Sequence, residues 1–391
     1  MPLASKTVAI FGGGIAGASL ARRLSRDYPV TLVDPLDYFE VPMSAPRSLV
    51  APNFAEPAII PFPEALPTVR HIRGRLIEWS TDAANVQHID GHTSTLSSDV
   101  SVLATGSRFS SPLVRSEGGT LEERKAFYSR FHFRLLQARN VLIVGGGPIG
   151  IEIAGEISET FPDKRLTVLE AGPRILGGTS PKLAAHAQRV LAERGVAVIV
   201  NERLVGRQPT DDLFGTEGEA ETDRGRTLSY DLLLWCIGGR PNTAFMRSQH
   251  PELLDSAGRI KVDRSLRVCG QSSVFAIGDI TDLTENKMAW HVQGQVKVAE
   301  ANIRSVLEGR SDGFKHYKAK TNDPTMVVTL GSRAGVSHLP GLGLVTAGWL
   351  NRMAKSAHML IPKYRKALGV PKADVLTHEI GIRETAAARE R

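Results

Sequence analysis

"VAIFGGGIAG", Val8 to Gly17, and "VLIVGGGPIG", Val141 to Gly150, are nearly the same ten residues written 133 positions apart. Each stretch opens with a short, β-branched apolar run, which is typical of a strand buried on both faces. Each then carries G-x-G-x-x-G and continues into helix-compatible sequence. This order of strand, glycine turn and helix is the one that a dinucleotide-binding fold requires.

The spacing of the glycines has a physical reason. The first glycine makes a tight turn, the second lets the backbone approach a pyrophosphate, and the third lets helix and strand pack closely. The pyrophosphate then rests on N–H groups at the N-terminus of the helix. The pattern therefore predicts cofactor contacts for the turn residues Gly12, Gly14, Ala16, Gly17, Gly145, Gly147 and Gly150.

An acidic residue follows each turn at the end of a second β-like run. "PVTLVD" ends at Asp34 and "RLTVLE" ends at Glu170. A carboxylate at this position accepts hydrogen bonds from a ribose diol, so the chain is predicted to bind two dinucleotides. Because a carboxylate repels a 2′-phosphate, Glu170 favours NADH over NADPH, although the nearby Arg174 leaves NADPH open.

Composition and charge exclude several classes of protein. The 391 residues are 42% hydrophobic and 23% charged, which is typical of a globular protein. No apolar run of about 18 residues is present, and the N-terminus runs directly into a strand, so we expect a cytoplasmic protein. Residues 349–391 hold nine Lys and Arg against four Asp and Glu, so most of the net charge of +7 is local. A nucleic-acid partner is therefore not expected.

The chain has two cysteines, Cys236 and Cys269, and no C-x-x-C pair. Their spacing fits neither a metal site nor a dithiol redox centre, and the simplest interpretation is two buried small side chains. We expect no metal site, and we do not expect cysteine sulfur to carry electrons.

Further motifs occur in a fixed order along the chain: "VLATGS" at Val102–Ser107, "GGGPIGIEIAGEI" at Gly145–Ile157, "CIGGRPNT" at Cys236–Thr243, "VFAIGDI" at Val274–Ile280 and "KMAWHVQGQ" at Lys287–Gln295. In these motifs the chain resembles the two-dinucleotide flavoproteins of the pyridine nucleotide-disulfide oxidoreductase superfamily. Within it, the chain is similar to the ferroptosis suppressor and apoptosis-inducing factor-like family, and more distantly to the type II NADH:quinone dehydrogenases.

The resemblance implies an α/β fold of two Rossmann-like domains and a smaller C-terminal domain. FAD occupies the first turn, NADH occupies the second, and the NAD domain is inserted into the FAD domain. The implied boundaries are 1–137 and 244–310 for the FAD domain, 138–243 for the NAD domain, and 311–391 for the C-terminal domain with its basic tail.

The resemblance also implies roles for particular residues. Asp279 contacts the ribityl-phosphate part of FAD, Glu152 lies near the nicotinamide, and Lys287 and Met288 approach the flavin ring. Further cofactor or catalytic positions are Thr105, Gly106, Gly238, Arg47 and Lys355. Other interpretations remain: a solvated glutamate for Glu152, a helix N-cap for Asp279, a surface lysine beside a core methionine for Lys287 and Met288, and a linker for the proline-rich residues 40–67.

The function that follows is an FAD-dependent NAD(P)H:quinone oxidoreductase, because the dithiol of other flavoenzymes in the superfamily is absent. A reductase of a ferredoxin-like protein and a slowly turning signalling flavoprotein are the alternatives. The segment Trp349–Val370 mixes apolar and basic residues, and it predicts either peripheral membrane contact or a docked helix with a basic outer face. Monomer and homodimer both remain open.

Overall fold

Two β-sheets, one wholly parallel and one parallel over five of its seven strands, form the frame of the molecule. The computed structural model describes residues 6–81, 83–109, 111–207, 217–321, 326–339, 341–346 and 357–373. Its helices are α1 Ile15–Leu24, α2 Ala45–Val50, α3 Phe62–Ala65, α4 Leu121–Gln137, α5 Pro148–Thr160, α6 Pro181–Glu193, α7 Ala244–Arg247, α8 Ala289–Leu307 and α9 Ile361–Leu368.

The strands alternate with these helices along most of the chain. They are β1 Val8–Phe11, β2 Val30–Asp34, β3 Tyr38–Glu40, β4 Ile59–Pro61, β5 Arg70–Trp79, β6 Ala84–His88, β7 Thr93–Leu96, β8 Val100–Leu103, β9 Ser107–Arg108, β10 Asn140–Val144, β11 Arg165–Glu170, β12 Ala197–Val200, β13 Leu204–Val205, β14 Gly218–Thr222, β15 Thr227–Tyr230, β16 Leu232–Trp235, β17 Arg240–Pro241, β18 Val274–Ala276, β19 Met326–Leu330, β20 Ala334–Leu339 and β21 Gly343–Val345.

The first sheet has seven strands in the order β18-β8-β1-β2-β5-β6-β7. The strands from β18 to β5 are parallel, and β6 and β7 extend the sheet in antiparallel fashion. All four residues of β1 are buried, as its β-branched apolar sequence predicts. Strand β18 joins this sheet although it lies far along the chain, so the first domain is built from two separate segments.

The second sheet has the parallel order β12-β11-β10-β16 and is formed entirely by the intervening segment. It repeats the central arrangement of the first sheet, because β10 pairs with β11 and β16 just as β1 pairs with β2 and β8. A short ladder between β9 and β17 connects the two domains. The predicted α/β class and the insertion of one Rossmann-like domain into the other are confirmed, and the exact domain boundaries remain predictions.

The antiparallel sheet β19-β20-β21 packs against α5 and α6 of the inserted domain. Its contact with α5 is close: a Cβ atom on Gly155 would lie 2.6 Å from the Cα atom of Leu330. Helix α9 returns to the first domain, where it packs on α1. None of the helices in the described ranges is long and apolar enough to cross a membrane.

Candidate functional site: two dinucleotide turns

The first glycine turn lies between β1 and α1. Gly12 has a φ of +106°, and a Cβ atom there would lie 2.3 Å from the carbonyl oxygen of Ala104 at the end of β8. A Cβ atom on Gly17 would lie 1.8 Å from the carbonyl oxygen of Gly12, so helix and strand meet at a distance that only glycine permits. Gly14 is the N-cap of α1 and no side chain caps it, which leaves N–H groups of the first turn for an anion.

The second turn reproduces this geometry between β10 and α5. Gly145 has a φ of +112°, and its Cβ atom would lie 2.6 Å from the carbonyl oxygen of Cys236 at the end of β16. A Cβ atom on Gly150 would lie 2.0 Å from the carbonyl oxygen of Gly145. Gly147 caps α5, and apart from Gly147 and its neighbours along the chain no described atom lies within 4 Å of the place where its Cβ would stand. The surface above this helix N-terminus is therefore open.

Both predicted acids are held beside their turns by backbone N–H groups. Asp34 Oδ2 accepts from the N–H of Gly13 at 2.6 Å, and its Oδ1 accepts from Leu36 at 2.9 Å. Glu170 Oε2 accepts from Gly146 at 2.7 Å. An ionised carboxylate has about four acceptor positions. Glu170 also accepts from the N–H of Gly172 at 2.7 Å and keeps about two positions for a ribose diol, whereas Asp34 also accepts from Arg115 at 3.0 Å and keeps about one. The residues present fit one dinucleotide at each turn.

The chain passes close to a glycine turn just after β8 and again just after β16. Thr105 and Gly106 lie in the segment after β8, and Gly238 lies in the segment after β16. The hydroxyl of Thr105 donates to the carbonyl of Asn242 at 2.8 Å, and the N–H of Asn242 donates to the carbonyl of Gly106 at 2.9 Å. These bonds join the two domains beside β9 and β17. Gly238 is exposed at the corresponding edge of the second site.

Asp279 stands next to the first turn, at the end of β18. A Cβ atom on the preceding residue, Gly278, would be 3.3 Å from the Cβ of Ala16, which brings the two predicted positions together. In the described chain the carboxyl of Asp279 makes no hydrogen bond, and it does not cap a helix as the alternative interpretation expected. Burial raises its pKa, and the positive charges of Lys287 and Arg259 oppose that effect. A desolvated carboxyl that lacks a hydrogen bond fits a contact with a bound FAD.

Lys287 and Met288 precede α8 on the same side of the molecule. The Nζ of Lys287 donates to the carbonyls of Thr281 and Leu283 at 2.7 and 2.8 Å, and burial lowers the pKa of this lysine. Met288 is partly buried against the core. Lys287 is therefore held by backbone carbonyls, which a freely solvated lysine would not be.

Glu152 and Arg47 are both buried. Glu152 Oε1 accepts from the backbone N–H of Thr329 at 3.0 Å, so the interpretation as a solvated glutamate is wrong. Arg47 donates from Nε and Nη2 to both carboxylate oxygens of Glu156, at 3.2 and 2.9 Å. Arg47 thus connects α2 to α5. Lys355, which the resemblance also singled out, lies outside the described residues.

Arg174, the residue that kept NADPH possible as a cofactor, forms hydrogen bonds within its own loop. Its two terminal nitrogens donate to the carbonyls of Thr179 and Gly177, each at 3.0 Å. This arrangement turns both nitrogens toward backbone oxygen, while Glu170 remains beside the turn. The preference for NADH over NADPH stays a prediction.

Sequence reasoning missed one charged residue at the first turn. Arg115 Nη2 lies 3.0 Å from Asp34 Oδ2, across a separation of 81 residues. No spacing rule predicts such a pair, because the loop that carries Arg115 belongs to no motif.

Comparison with known proteins identifies the family. Residues 6–305 match the model of the pyridine nucleotide-disulphide oxidoreductase family. The chain is 27% identical to apoptosis-inducing factor homolog B of Dictyostelium discoideum, covering 94% of this chain and 98% of that one. It is 28% identical to mouse ferroptosis suppressor protein 1, covering 90% and 93%. The fold matches the sulfide:quinone oxidoreductase of Aquifex aeolicus with a TM-score of 0.71 at 16% identity, over 94% and 92% of the two chains.

The matched region contains both glycine turns, both acids and the Asp279 motif, in the order that the resemblance implied. FAD and NADH are therefore the cofactors of the two turns. The chain belongs to the pyridine nucleotide-disulphide oxidoreductase family and is an FAD-dependent oxidoreductase.

Proposed function

We propose that this protein is an NADH:quinone oxidoreductase. In the overall reaction, NADH, one proton and a quinone give NAD⁺ and a quinol, so two electrons move from the nicotinamide to the quinone. The observation that supports this proposal most is the absence of a dithiol. One chain holds an FAD turn and an NADH turn, but it has no closely spaced pair of cysteines that could accept electrons from the flavin. A quinone that accepts electrons directly at the flavin meets this condition.

The chemistry of the cysteines supports the proposal. Cys236 stands at the end of β16, where burial raises its pKa to about 12, so its thiolate is scarce at neutral pH. Cys269 lies in the first domain beyond the inserted segment and is exposed, so the prediction that both cysteines are buried is wrong for this residue. Neither residue has a second cysteine nearby in the sequence with which to form a disulfide. A thiol relay of the kind used by dithiol reductases is therefore not supported.

The protein's own residues would bind and orient the two nucleotides. A bound flavin takes up a hydride from NADH and passes on two electrons, and the protein controls position and electrostatics. The backbone at Gly147 and the carboxylate of Glu170 would hold NADH, while the turn at Gly14 and Asp34 would hold FAD. Asp279 would contact FAD beside the first turn, and Lys287 would add a positive charge close to it.

The choice of a quinone draws on the relatives as well as on the site. The sulfide:quinone oxidoreductase that shares this fold acts, by its name, on a quinone. A lipid-soluble acceptor would be reached most easily from a membrane surface. Near the start of α8, Trp290 is exposed and the Nζ of Lys363 lies 4.9 Å from the centre of its ring, and this surface could contact a membrane. We include peripheral contact with a membrane through this surface in the proposal.

Anaerobic stopped-flow absorbance tests the proposal. The purified yellow protein is reduced with NADH, or with NADPH for comparison, and is then mixed with a short-chain ubiquinone while the flavin band is followed. We expect rapid bleaching by NADH, slower bleaching by NADPH, and recovery of the band within one turnover after quinone is added. The variant Cys236→Ser/Cys269→Ser should retain both phases.

Other outcomes would identify another function. Loss of the second phase in the cysteine variant would mean that a thiol carries electrons. A reduced flavin that persists with NAD⁺ and hardly reacts with quinone would favour the signalling interpretation, which the names of the Dictyostelium relatives suggest. Recovery only with a ferredoxin-like protein would favour a protein acceptor.

A further inference from the structure

The guanidinium of Arg115 lies over the first glycine turn. One terminal nitrogen, Nη2, is 3.0 Å from Asp34 Oδ2. The other, Nη1, is 2.7 Å from the position where a Cβ atom on Gly14 would stand. Arg115 therefore reaches the acid and the N-cap of α1, which are the two features of this turn that contact an adenosine diphosphate group.

A buried ionic cluster fixes the loop that presents Arg115. Arg124 in α4 donates to the carbonyl of Pro112 at 2.6 Å and to that of Val114 at 3.1 Å. Val114 is the residue directly before Arg115. Arg124 also forms a buried ion pair with Glu40 at 3.0 Å, and the hydroxyl of Tyr128 donates to the same carboxylate. The position of Arg115 is thus determined by the packing of α4 against β3, since these bonds hold the backbone on its N-terminal side.

The positive charge of Arg115 would be stabilised by a second anion besides Asp34. A cation beside a helix N-terminus is opposed by the helix dipole, and Asp34 supplies a single negative charge. The diphosphate of FAD would bring more negative charge to this place and would accept the planar fork of the guanidinium. Arg115 is 32% exposed, so its side chain has room to adjust.

The second turn differs in this respect. At Gly147 no described atom beyond its own neighbours along the chain lies within 4 Å of the Cβ position, so no cation stands over the N-cap of α5 as Arg115 stands over that of α1. The two turns are otherwise alike in their glycines, acids and strand order. A cation therefore lies over the N-cap of the first turn, which holds the cofactor that stays bound, and none of the described residues places one at the same distance over the second.

We propose that Arg115 binds the diphosphate of FAD from the side opposite α1 and slows the release of the cofactor. The open second turn lets NADH and NAD⁺ exchange at every turnover. Arg115 is in this sense a specificity-determining residue that distinguishes a retained dinucleotide from an exchanging one. The inference does not depend on which acceptor takes the electrons.

FAD release from the full-length holoprotein tests the proposal. The purified protein is diluted, and the first-order appearance of free FAD is followed by its fluorescence. The control is Arg108→Gln, which removes an exposed arginine of the neighbouring strand β9 that pairs with Glu117. For Arg115→Gln we expect release to be roughly tenfold faster or more, because the variant loses a charge-assisted hydrogen bond to the diphosphate.

Two further readouts separate a phosphate contact from a structural role. Arg115→Lys should release FAD at an intermediate rate, because it keeps the charge but loses the fork. The difference between Arg115→Gln and wild type should shrink at high salt, where the charge is screened. Release from Arg115→Gln at the wild-type rate would overturn the proposal. Slower release would also overturn it, since Arg115 would then compete with FAD for Asp34.

Discussion

At the scale of single residues, glycine serves two purposes in the duplicated turns. Gly17 and Gly150 are required by the protein, because a Cβ atom on either would overlap a carbonyl oxygen of its own turn. Gly147 is not required in this way, since its backbone angles, φ −70° and ψ 178°, suit any residue and its surroundings are open. The absence of a side chain at Gly147 therefore serves the ligand.

Gly147→Ala separates these purposes experimentally. The loss of a good N-cap and the lower entropy of the unfolded chain oppose each other, so the unfolding free energy should change by less than about 1 kcal/mol. The KM for NADH should rise roughly tenfold or more, because the methyl group keeps the pyrophosphate from the helix N-terminus. Steady-state kinetics and urea unfolding measure the two effects. Gly178→Ala, also in open space, should change neither, and an unaltered KM in Gly147→Ala would contradict the assignment.

Asp279→Asn should reveal the pH dependence that its burial causes. The pKa of Asp279 is raised in the folded chain, so the folded state binds more protons than the unfolded state between the ordinary and the raised pKa. Stability of the FAD-free protein therefore falls as pH rises through this window, and above it Asp279→Asn should be the more stable form. Thermal unfolding from pH 3 to 8, about the range in which carboxyls titrate, tests this sign. The same variant should release FAD faster, and equal curves for both proteins would refute the assignment.

At the scale of elements, α5 connects three parts of the molecule. Its first turn faces the NADH site, Glu152 bonds to β19, and Gly155 permits the close approach of Leu330. On the side facing α2, Glu156 forms the ion pair with Arg47, which is 1% exposed. Because neighbours cover α5 on several sides, Glu152 and Glu156 are buried, whereas a surface helix would show them to solvent.

The Arg47–Glu156 pair should therefore behave as a buried ion pair. Glu156→Gln leaves a buried guanidinium with less compensation and should cost about 3–5 kcal/mol, whereas replacing both residues by methionine should cost clearly less. The exposed pair Arg189–Glu193 provides the control, and Arg189→Gln should cost no more than about 0.5 kcal/mol. Urea unfolding measures all three variants. A cost for Glu156→Gln as small as that of the control would show that the pair does not hold α2 to α5.

At the scale of the whole molecule, the end of the described chain closes back on the first domain. Met359 and Ile361, two apolar residues of the basic tail, are fully buried, and Tyr364 packs on Phe39. The described part of the tail is thus a docked helix whose apolar face is used within the protein. Its outer face still presents Lys363 and Lys366 to solvent, and membrane contact through this face stays a prediction.

Binding to lipid vesicles tests the outer face of α9. Lys363→Glu/Lys366→Glu should reduce co-sedimentation with vesicles that contain anionic phospholipid by roughly tenfold or more, because each lysine near such a surface contributes about 1 kcal/mol. Lys182→Glu/Arg203→Glu makes the same change of charge at exposed positions of the inserted domain and should leave binding unaltered. Equal binding by wild type and both variants would exclude this surface as the site of contact.

The sequence by itself determined the duplicated architecture, because the features that specify it are local. Strand, glycine turn, helix and acid follow one another within short windows, so Gly12, Asp34, Gly145 and Glu170 could be assigned from spacing alone. The second segment of the first domain was anticipated from the family resemblance, since "VFAIGDI" is one of the motifs that carry it, and its first part forms the buried strand β18.

The tertiary structure decided which distant charges meet. Arg115 reaches Asp34, Arg47 reaches Glu156, and Glu152 is covered by β19, over separations of 81, 109 and 177 residues. Such contacts depend on how loops and domains pack, and no periodicity in the sequence records them. The same packing decided that the apolar face of α9 is buried against the protein, because an amphipathic pattern specifies a face to be covered and does not specify what covers it.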